Sequence, residues 1–508
     1  MRKHSYSLIL LVMSVILFSA WKFTSNIISR SAVTAVVDSA NERDILPAII
    51  AINGDKKNKP PTNFKRGHIN QTTLKDYFHE TENGYYIQLP STTIVPTPAV
   101  VDGNLFLSGG FGSKQYYNFD ALTGKLKWAI DLDDDGPSSP AISDGLIVFN
   151  TESCTIFVCD LVTGKLIWSY YLGDPLMSMP TIANGIVFTS YPANYKTDLR
   201  GQTNDSAFKY LNGLPTHVLA AFDARTGAVL WQKWIDSDIM SAPVAKDDLL
   251  YVTTFSGALY KVKQKTGEII EAKAMRATSV PIFSKDNDLI VSKRSDLATD
   301  SLASESIIVG KPGNAKTVYK KNAYYLDKKI QNRASMKVSS EKMDAGNGFA
   351  AGAPAAANWQ AAEVNIGYSN VSSLQAFQGS RGVYMKGQLY NTMGDEIICT
   401  DSKGDVRWKH KLDGDMKNEG GFMGTPPIYA NGYIIVATYS GEVLTIDEKG
   451  KLLKKYEIKN PVRYQPVVDK GWIYVTTVNG RLYAINTGNP LITGWNMWGA
   501  NAERTNIN

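Results

Sequence analysis

From about residue 85 onward the chain alternates short apolar stretches with polar, glycine-bearing turns, a period-2 pattern that predicts strands rather than helices. The stretch Ala221 to Trp231, AFDARTGAVLW, shows the unit most clearly. One strand ends at Phe222, Thr226-Gly227 supplies a tight turn that tolerates positive φ, and a second strand ends at Trp231. Such a unit cannot bury its own faces and therefore predicts neighbours built like itself. Copies read NFDALTGKLKW up to Trp128 and VCDLVTGKLIW up to Trp168, weaker ones end at Glu271, Trp408 and Lys455, and a trace covers Ala484 to Gly488.

The turn glycines Gly124, Gly164, Gly227, Gly267, Gly404, Gly450 and Gly488 are joined by Gly313 inside the longest gap, which makes eight copies. Their spacing of about 40 residues is a propeller-blade period. A second marker is a hairpin turn ahead of each motif, at Asp102-Gly103, Asp144-Gly145, Asn184-Gly185, Asp247-Asp248, Asn287-Asp288, Lys386-Gly387, Asn431-Gly432 and Lys470-Gly471. These pairs suit the type I′ turn of a twisted two-residue hairpin. Pro98, Pro140, Pro180, Pro243, Pro281, Pro426 and Pro466 head the innermost strands, where a missing N–H is tolerated; Arg381-Gly382 stands there in the sixth copy. The pattern predicts an all-β, eight-bladed β-propeller of four-stranded antiparallel blades over residues 85–508, with Trp128, Trp168, Trp231 and Trp408 as structural residues between blades.

AxDxxTGxxxW with an upstream PxxxxDG resembles the pyrroloquinoline-quinone (PQQ) propeller repeat, over about Pro98 to Trp498. The tail from Trp495, WNMWGANAERTN, is similar to the W-x-M-(F/W)-G-x-N-x-x-R-T-(G/N) signature at a terminus of such propellers, which implies that its aromatics seal the ring. The resemblance implies one of two functions. Quinoprotein dehydrogenases of this fold bind PQQ and calcium on the propeller axis, whereas outer-membrane assembly factors of the BamB type are non-catalytic. Fold alone does not choose between them.

The N-terminus places Arg2, Lys3 and His4 before an apolar run from Leu8 to Phe18, so residues 1–23 are expected to be a signal peptide or an N-terminal membrane anchor. The propeller is then exported, periplasmic or elsewhere in the cell envelope. No cysteine follows to make a lipoprotein. Residues 24–84 are polar and rich in Asn and Lys, and are expected to be a tether. Tyr85 to Leu89 is a candidate strand to complete the last blade. A net charge of +6 is too mild to demand nucleic acid, and a monomeric propeller is expected.

Two insertions interrupt the repeats, at about 191–216 and 323–380. Loops of that length carry binding specificity or run as solvated excursions. In the second, Lys320, Lys321, Lys328, Lys329 and Arg333, flanked by Arg294 and Arg381, are expected to form a positive face beside Trp359 that meets an acidic protein partner.

Chemistry is thinly signalled. The residues ahead of the inner prolines are small or neutral: Ser138-Ser139, Ser178-Met179, Ser241-Ala242, Ser279-Val280, Gly424-Thr425 and Tyr464-Gln465. Glu152 and Asp174 are the acidic loop residues worth considering, and the DLDDDG run at Asp131 imitates the start of a calcium loop but has Ile142 at the twelfth position. No adjacent cysteine pair, HxxxH, HExxH, GxSxG, Walker loop or CxxCH is present, and Cys154, Cys159 and Cys399 are expected to be free, buried thiols. These readings favour a non-catalytic scaffold that binds protein partners in the envelope and expects no cofactor. The alternative is a PQQ-dependent dehydrogenase, with calcium, whose site has diverged.

Overall fold

The computed structural model describes residues 42–152, 155–173, 179–193, 215, 217–254, 256–277, 279–284, 287–295, 304–310, 316–322, 382–393, 395–414 and 423–507. Each blade follows the repeat. In blade 3 the strands Thr181–Ala183, Ile186–Pro192, His217–Asp223 and Val229–Ile235 pair in that order as an antiparallel meander. The inner hairpin turns at Asn184 and Gly185 with φ of 52° and 71°, the left-handed pair that a type I′ turn requires. The short first strands of neighbouring blades lie side by side around the axis, and those of the two chain ends meet.

The outer turn explains the motif residue by residue. Asp223 Oδ1 accepts from the Thr226 amide (2.8 Å) and hydroxyl (2.7 Å), and Asp120 with Thr123 and Asp160 with Thr163 repeat the arrangement. Hydrogen bonds from Thr226, first its hydroxyl and then its amide, hold the Asp223 carboxyl below the usual carboxylate range. One step later the register shifts between Ala221 and Phe222, so Leu230 is an extra residue on the outer strand. This bulge twists the outer strand, and the same shift recurs at Asn118/Phe119, Val158/Cys159, Lys261/Val262 and Cys399/Thr400.

The motif tryptophans lie where one blade meets the next. Trp128 Nε1 donates to Leu161 O (3.3 Å), Trp168 to Ala224 O (2.9 Å), Trp231 to Gln264 O (2.7 Å) and Trp408 to Glu448 O (3.0 Å), in every case a carbonyl of the following blade's outer turn. Trp128, Trp168 and Trp231 are buried and Trp408 is half-buried.

The expectation of an eight-bladed propeller of four-stranded blades is corrected. Seven blades each take four strands from one continuous run of chain, beginning at Ala99, Ala141, Thr181, Val244, Ile282, Gly382 and Ile428. The remaining sheet is composite: Val467–Asp469, Trp472–Thr476 and Arg481–Asn486 come from the C-terminal end, and Gly84–Gln88 and Phe78–Thr81 from the N-terminal end complete it. The strand expected at Tyr85 to Leu89 therefore closes the ring. Blade 1 also has five strands, because Ile69–Thr72 pairs with its outer strand Leu126–Leu132.

Residues 44–84, read from sequence as tether, lie along the outer edges of the propeller. The Ile45 amide donates to Ala272 O of blade 4 (3.0 Å). The helix Leu46–Gly54 follows, begun by Pro47 near its N-terminus, and buries Ala48, Ile49 and Ile52. Asn53 exchanges two hydrogen bonds with the Trp234 backbone of blade 3 (2.8 and 3.0 Å), and Phe64 packs among Tyr170, Tyr191 and Phe222. Lys65 then accepts the Tyr171 amide of blade 2 (2.8 Å) before the chain reaches blade 1 and the closing sheet. Polar composition concealed this belt because an edge needs backbone donors and acceptors more than apolar side chains.

Candidate functional site

The axis is built from the free inner edges of the first strands, and the C-terminal segment fills it. Backbone bonds join Val100 N to Asn496 O (2.7 Å), Val468 N to Trp495 O (2.8 Å), Ile182 N to Ala502 O (3.2 Å) and Ala245 N to Glu503 O (2.9 Å). Arg504, fully buried, inserts its guanidinium among carbonyls: Nη1 donates to Trp498 O (2.7 Å) and Nη2 to Pro140 O (2.7 Å) and Pro180 O (3.2 Å). Burial pulls its pKa down to about 9, against the opposing influence of Tyr116 and Glu503. Two of those acceptors are the carbonyls of prolines that head the inner strands, so the proline markers and the tail motif belong to one device. Gln465 completes it by accepting from Trp495 Nε1 and from the Gly499 amide (both 3.2 Å).

The other residues ahead of the inner prolines are also buried, Ser138, Ser139, Met179, Ser241, Ala242, Ser279, Val280, Thr425 and Tyr464 among them. Beside the tail, on the hairpin end of the axis, an open concavity of about 430 Å³ is lined by Asp102, Asp469, Lys470, Asn496, Asn501 and Glu503 among others.

On the opposite end, the loops entering blades 2 and 4 carry carboxylates bonded to neighbouring blade residues, Asp236 and Asp238 buried and Asp134 half-buried. Asp134 accepts from the hydroxyls of Thr151 and Thr155, the latter at 2.7 Å. Asp236 accepts from Thr254 (3.2 Å), Tyr260 (2.7 Å) and Ser256, and its burial raises its carboxyl pKa despite those donors. Asp238, fully buried, accepts from Ser190 Oγ (3.0 Å) and lies 3.8 Å from His217 Nε2, whose burial lowers its pKa to about 3. Glu152 accepts the Gly112 amide (3.0 Å); burial raises its pKa to about 7, with Asp135 and Asp134 adding to the rise and that hydrogen bond opposing it.

The carboxylates that the sequence offered for calcium are bonded within the protein. Of the DLDDDG carboxylates, Asp133 is taken by the His68 amide (2.8 Å) and Asp134 by Thr151 and Thr155. No three His, Cys, Asp or Glu side chains among the described residues gather to hold a metal ion. Cys159 and Cys399 are buried free thiols, each with its pKa pushed by burial up to about 12. Cys154 and Asp174 lie outside the described residues.

Three residues of the basic face expected around the second insertion fall on strands of one sheet. Arg294 lies on the strand Leu289–Ser295, and Lys320 and Lys321 on Lys316–Asn322. Lys328, Lys329, Arg333, Trp359 and Arg381 lie outside the described residues, as does the expected membrane segment. No helix among the described residues is long and apolar enough to cross a membrane. Sequence reasoning missed Arg504 as the axial residue although its motif was in view, because the aromatics beside it gave the stronger packing signal. It also missed Asp236, Asp238 and His217, which carry no motif and converge only through folding.

No curated protein sequence matches the chain. Among solved structures it is similar to BamB from Moraxella catarrhalis, at 12% identity and a TM-score of 0.47 over 82% of this chain and 97% of that one. It is similar to quinohemoprotein alcohol dehydrogenase from Comamonas testosteroni at 12% identity and a TM-score of 0.49, over 80% and 76% of the two chains. Sqt1 of Saccharomyces cerevisiae shares the fold at 11% identity and a TM-score of 0.50, over 80% and 99%. The family model described as outer membrane protein assembly factor BamB matches residues 72–194, 215–304 and 416–496, more than half of the chain. With its repeat, its interblade tryptophans and this match, the chain belongs to the BamB-like family of PQQ-repeat propellers.

Proposed function

We propose that this chain is an exported, non-catalytic propeller that binds protein partners in the cell envelope and serves the assembly of outer-membrane proteins. The observation that carries the reading is the axial segment. Where a small-molecule cofactor would need space and convergent donors, Arg504 is spent on the carbonyls of Pro140, Pro180 and Trp498. The family match adds the envelope setting and the assembly role, both taken from the name of that family. Binding then falls to the blade edges and loops, which present backbone groups and exposed side chains on a rigid scaffold.

The test uses the full chain in its own host. A photo-crosslinking residue is placed at Lys114 or Ser440, both exposed on the loop-bearing face, and adducts in the envelope fraction are identified by mass spectrometry. Adducts with outer-membrane proteins or their assembly machinery are expected. Purified chain that shows quinone absorbance and reduces an electron-accepting dye with an alcohol as donor overturns the reading.

A further inference from the structure

We propose that the outer edges of blades 6 and 7 dock an extended, acidic segment of a partner protein by strand addition. The inference rests on the protein-binding reading above and states how a partner is held. The molecule already uses this mode on itself: Lys65 bridges to the outer strand of blade 2, Ile69–Thr72 adds to the outer strand of blade 1, and Gly84–Gln88 adds to the closing sheet. Among the described residues, the outer strands Val406–Lys411 of blade 6 and Leu452–Glu457 of blade 7 are the last in their sheets.

Their backbones point the right way. The Leu412 amide donates inward to Asp395 O (2.8 Å) and the Ile458 amide inward to Gly441 O (2.9 Å). Alternation along a strand then turns the amides of Lys409, Lys411, Lys455 and Glu457 outward. Tyr171 of blade 2, at the position equivalent to Lys411, is the one that gives its amide to Lys65 O of the belt (2.8 Å).

The side chains show what is missing. Trp128 and Trp168, on blades whose edges the belt covers, are 7% and 4% exposed, whereas Trp408 on blade 6 is only half-buried. Val406 and Leu452 are 44% and 38% exposed, whereas their equivalents Leu126, Leu166 and Val229 on the covered blades are half-buried. Of the cations on these strands, Arg407, Lys409 and Lys455 pair with Asp401, Glu396 and Glu442 of their own blades, and Lys411 and Lys454 are the ones that face an incoming strand's carboxylates. Lysine on an edge strand blocks indiscriminate pairing. An incoming strand with carboxylates opposite those cations lifts that block, gains cross-strand pairs and covers the apolar side chains.

The probe is a labelled synthetic peptide of alternating valine and glutamate, titrated against the full chain by fluorescence anisotropy. Its valine–lysine counterpart and a version N-methylated at alternate amides are the controls. We expect the glutamate peptide to bind and to slow amide exchange at Lys409, Lys411, Lys455 and Glu457. The Lys411→Glu, Lys454→Glu double variant should weaken binding at least tenfold without shifting the melting temperature. Equal binding of the N-methylated peptide, or protection confined to other sites, overturns the proposal. Protection of those four amides in the chain without peptide also overturns it, since another part of the chain or a second copy then covers the edges. Adducts at the loops with no peptide binding remove this inference and leave the function reading standing; peptide binding without envelope adducts does the reverse.

Discussion

The indole of Trp231 lies against Gly267, the turn glycine of the next blade, so closely that a Cβ on that glycine would stand 2.6 Å from Trp231 Cδ2. Gly267 has φ of 68°, so the position demands glycine twice, once for the backbone and once for the ring. Gly164 meets Trp128, Gly227 meets Trp168 and Gly450 meets Trp408 in the same way. The repeat is therefore a bond between blades, written half in one copy and half in the next. Trp231→Ala should cost about 3–5 kcal/mol, and Gly267→Ala at least about 2 kcal/mol. Chemical denaturation measures both. A loss below about 1 kcal/mol for Trp231→Ala would show that the ring does not hold the blades together.

Arg504 should behave as the keystone of the axis. Arg504→Met removes a buried cation but leaves the carbonyls of Pro140, Pro180 and Trp498 without their donor, for an expected loss of about 2–4 kcal/mol. Arg504→Lys should recover little, because one ammonium on a flexible stem cannot serve three carbonyls set around a planar fork. Full recovery by lysine, read from denaturation midpoints, would mean that charge rather than geometry matters there.

Glu152 predicts a pH response on the alkaline side. Its folded pKa of about 7 lies above the ordinary value of 4.5, so the folded chain holds a proton that the unfolded chain has lost. The associated stability is present below about pH 4.5 and is lost as pH rises through 7. Glu152→Gln should remove this dependence, and the variant should gain roughly 2–3 kcal/mol on wild type between pH 5 and pH 8. Parallel stability curves for the two proteins across that range would count against a buried, protonated Glu152.

His217 predicts the opposite limb. Its folded pKa of about 3 lies below the ordinary 6.5, so the unfolded chain binds the extra proton. Stability is fully present above pH 6.5 and falls toward pH 3, at about 1.4 kcal/mol per pH unit within that window. His217→Asn should flatten the acid limb of a stability–pH profile. An unchanged limb would show that His217 is not the group whose protonation destabilises the fold in acid.

The period-2 alternation, the TG turns, the hairpin pairs and the inner prolines determined the strands and the repeating blade, because each depends on backbone preferences within about a dozen residues. The interblade role of the tryptophans also followed, since a recurring large apolar residue at a fixed place in a repeat must be buried by the neighbouring copy. The sequence offered Tyr85 to Leu89 as the closing strand, and only the tertiary structure decided which residues it meets. Arg481 Nε meets Gln88 Oε1 at 2.7 Å across 393 positions of sequence, and no local pattern at either residue announces the other. The same holds for Arg504, whose acceptors Pro140 and Pro180 lie more than three hundred residues away. The belt was hidden for a related reason: backbone groups bind an edge whatever side chains they carry, so a polar segment can be read as solvent-loving until the edge it covers is in place.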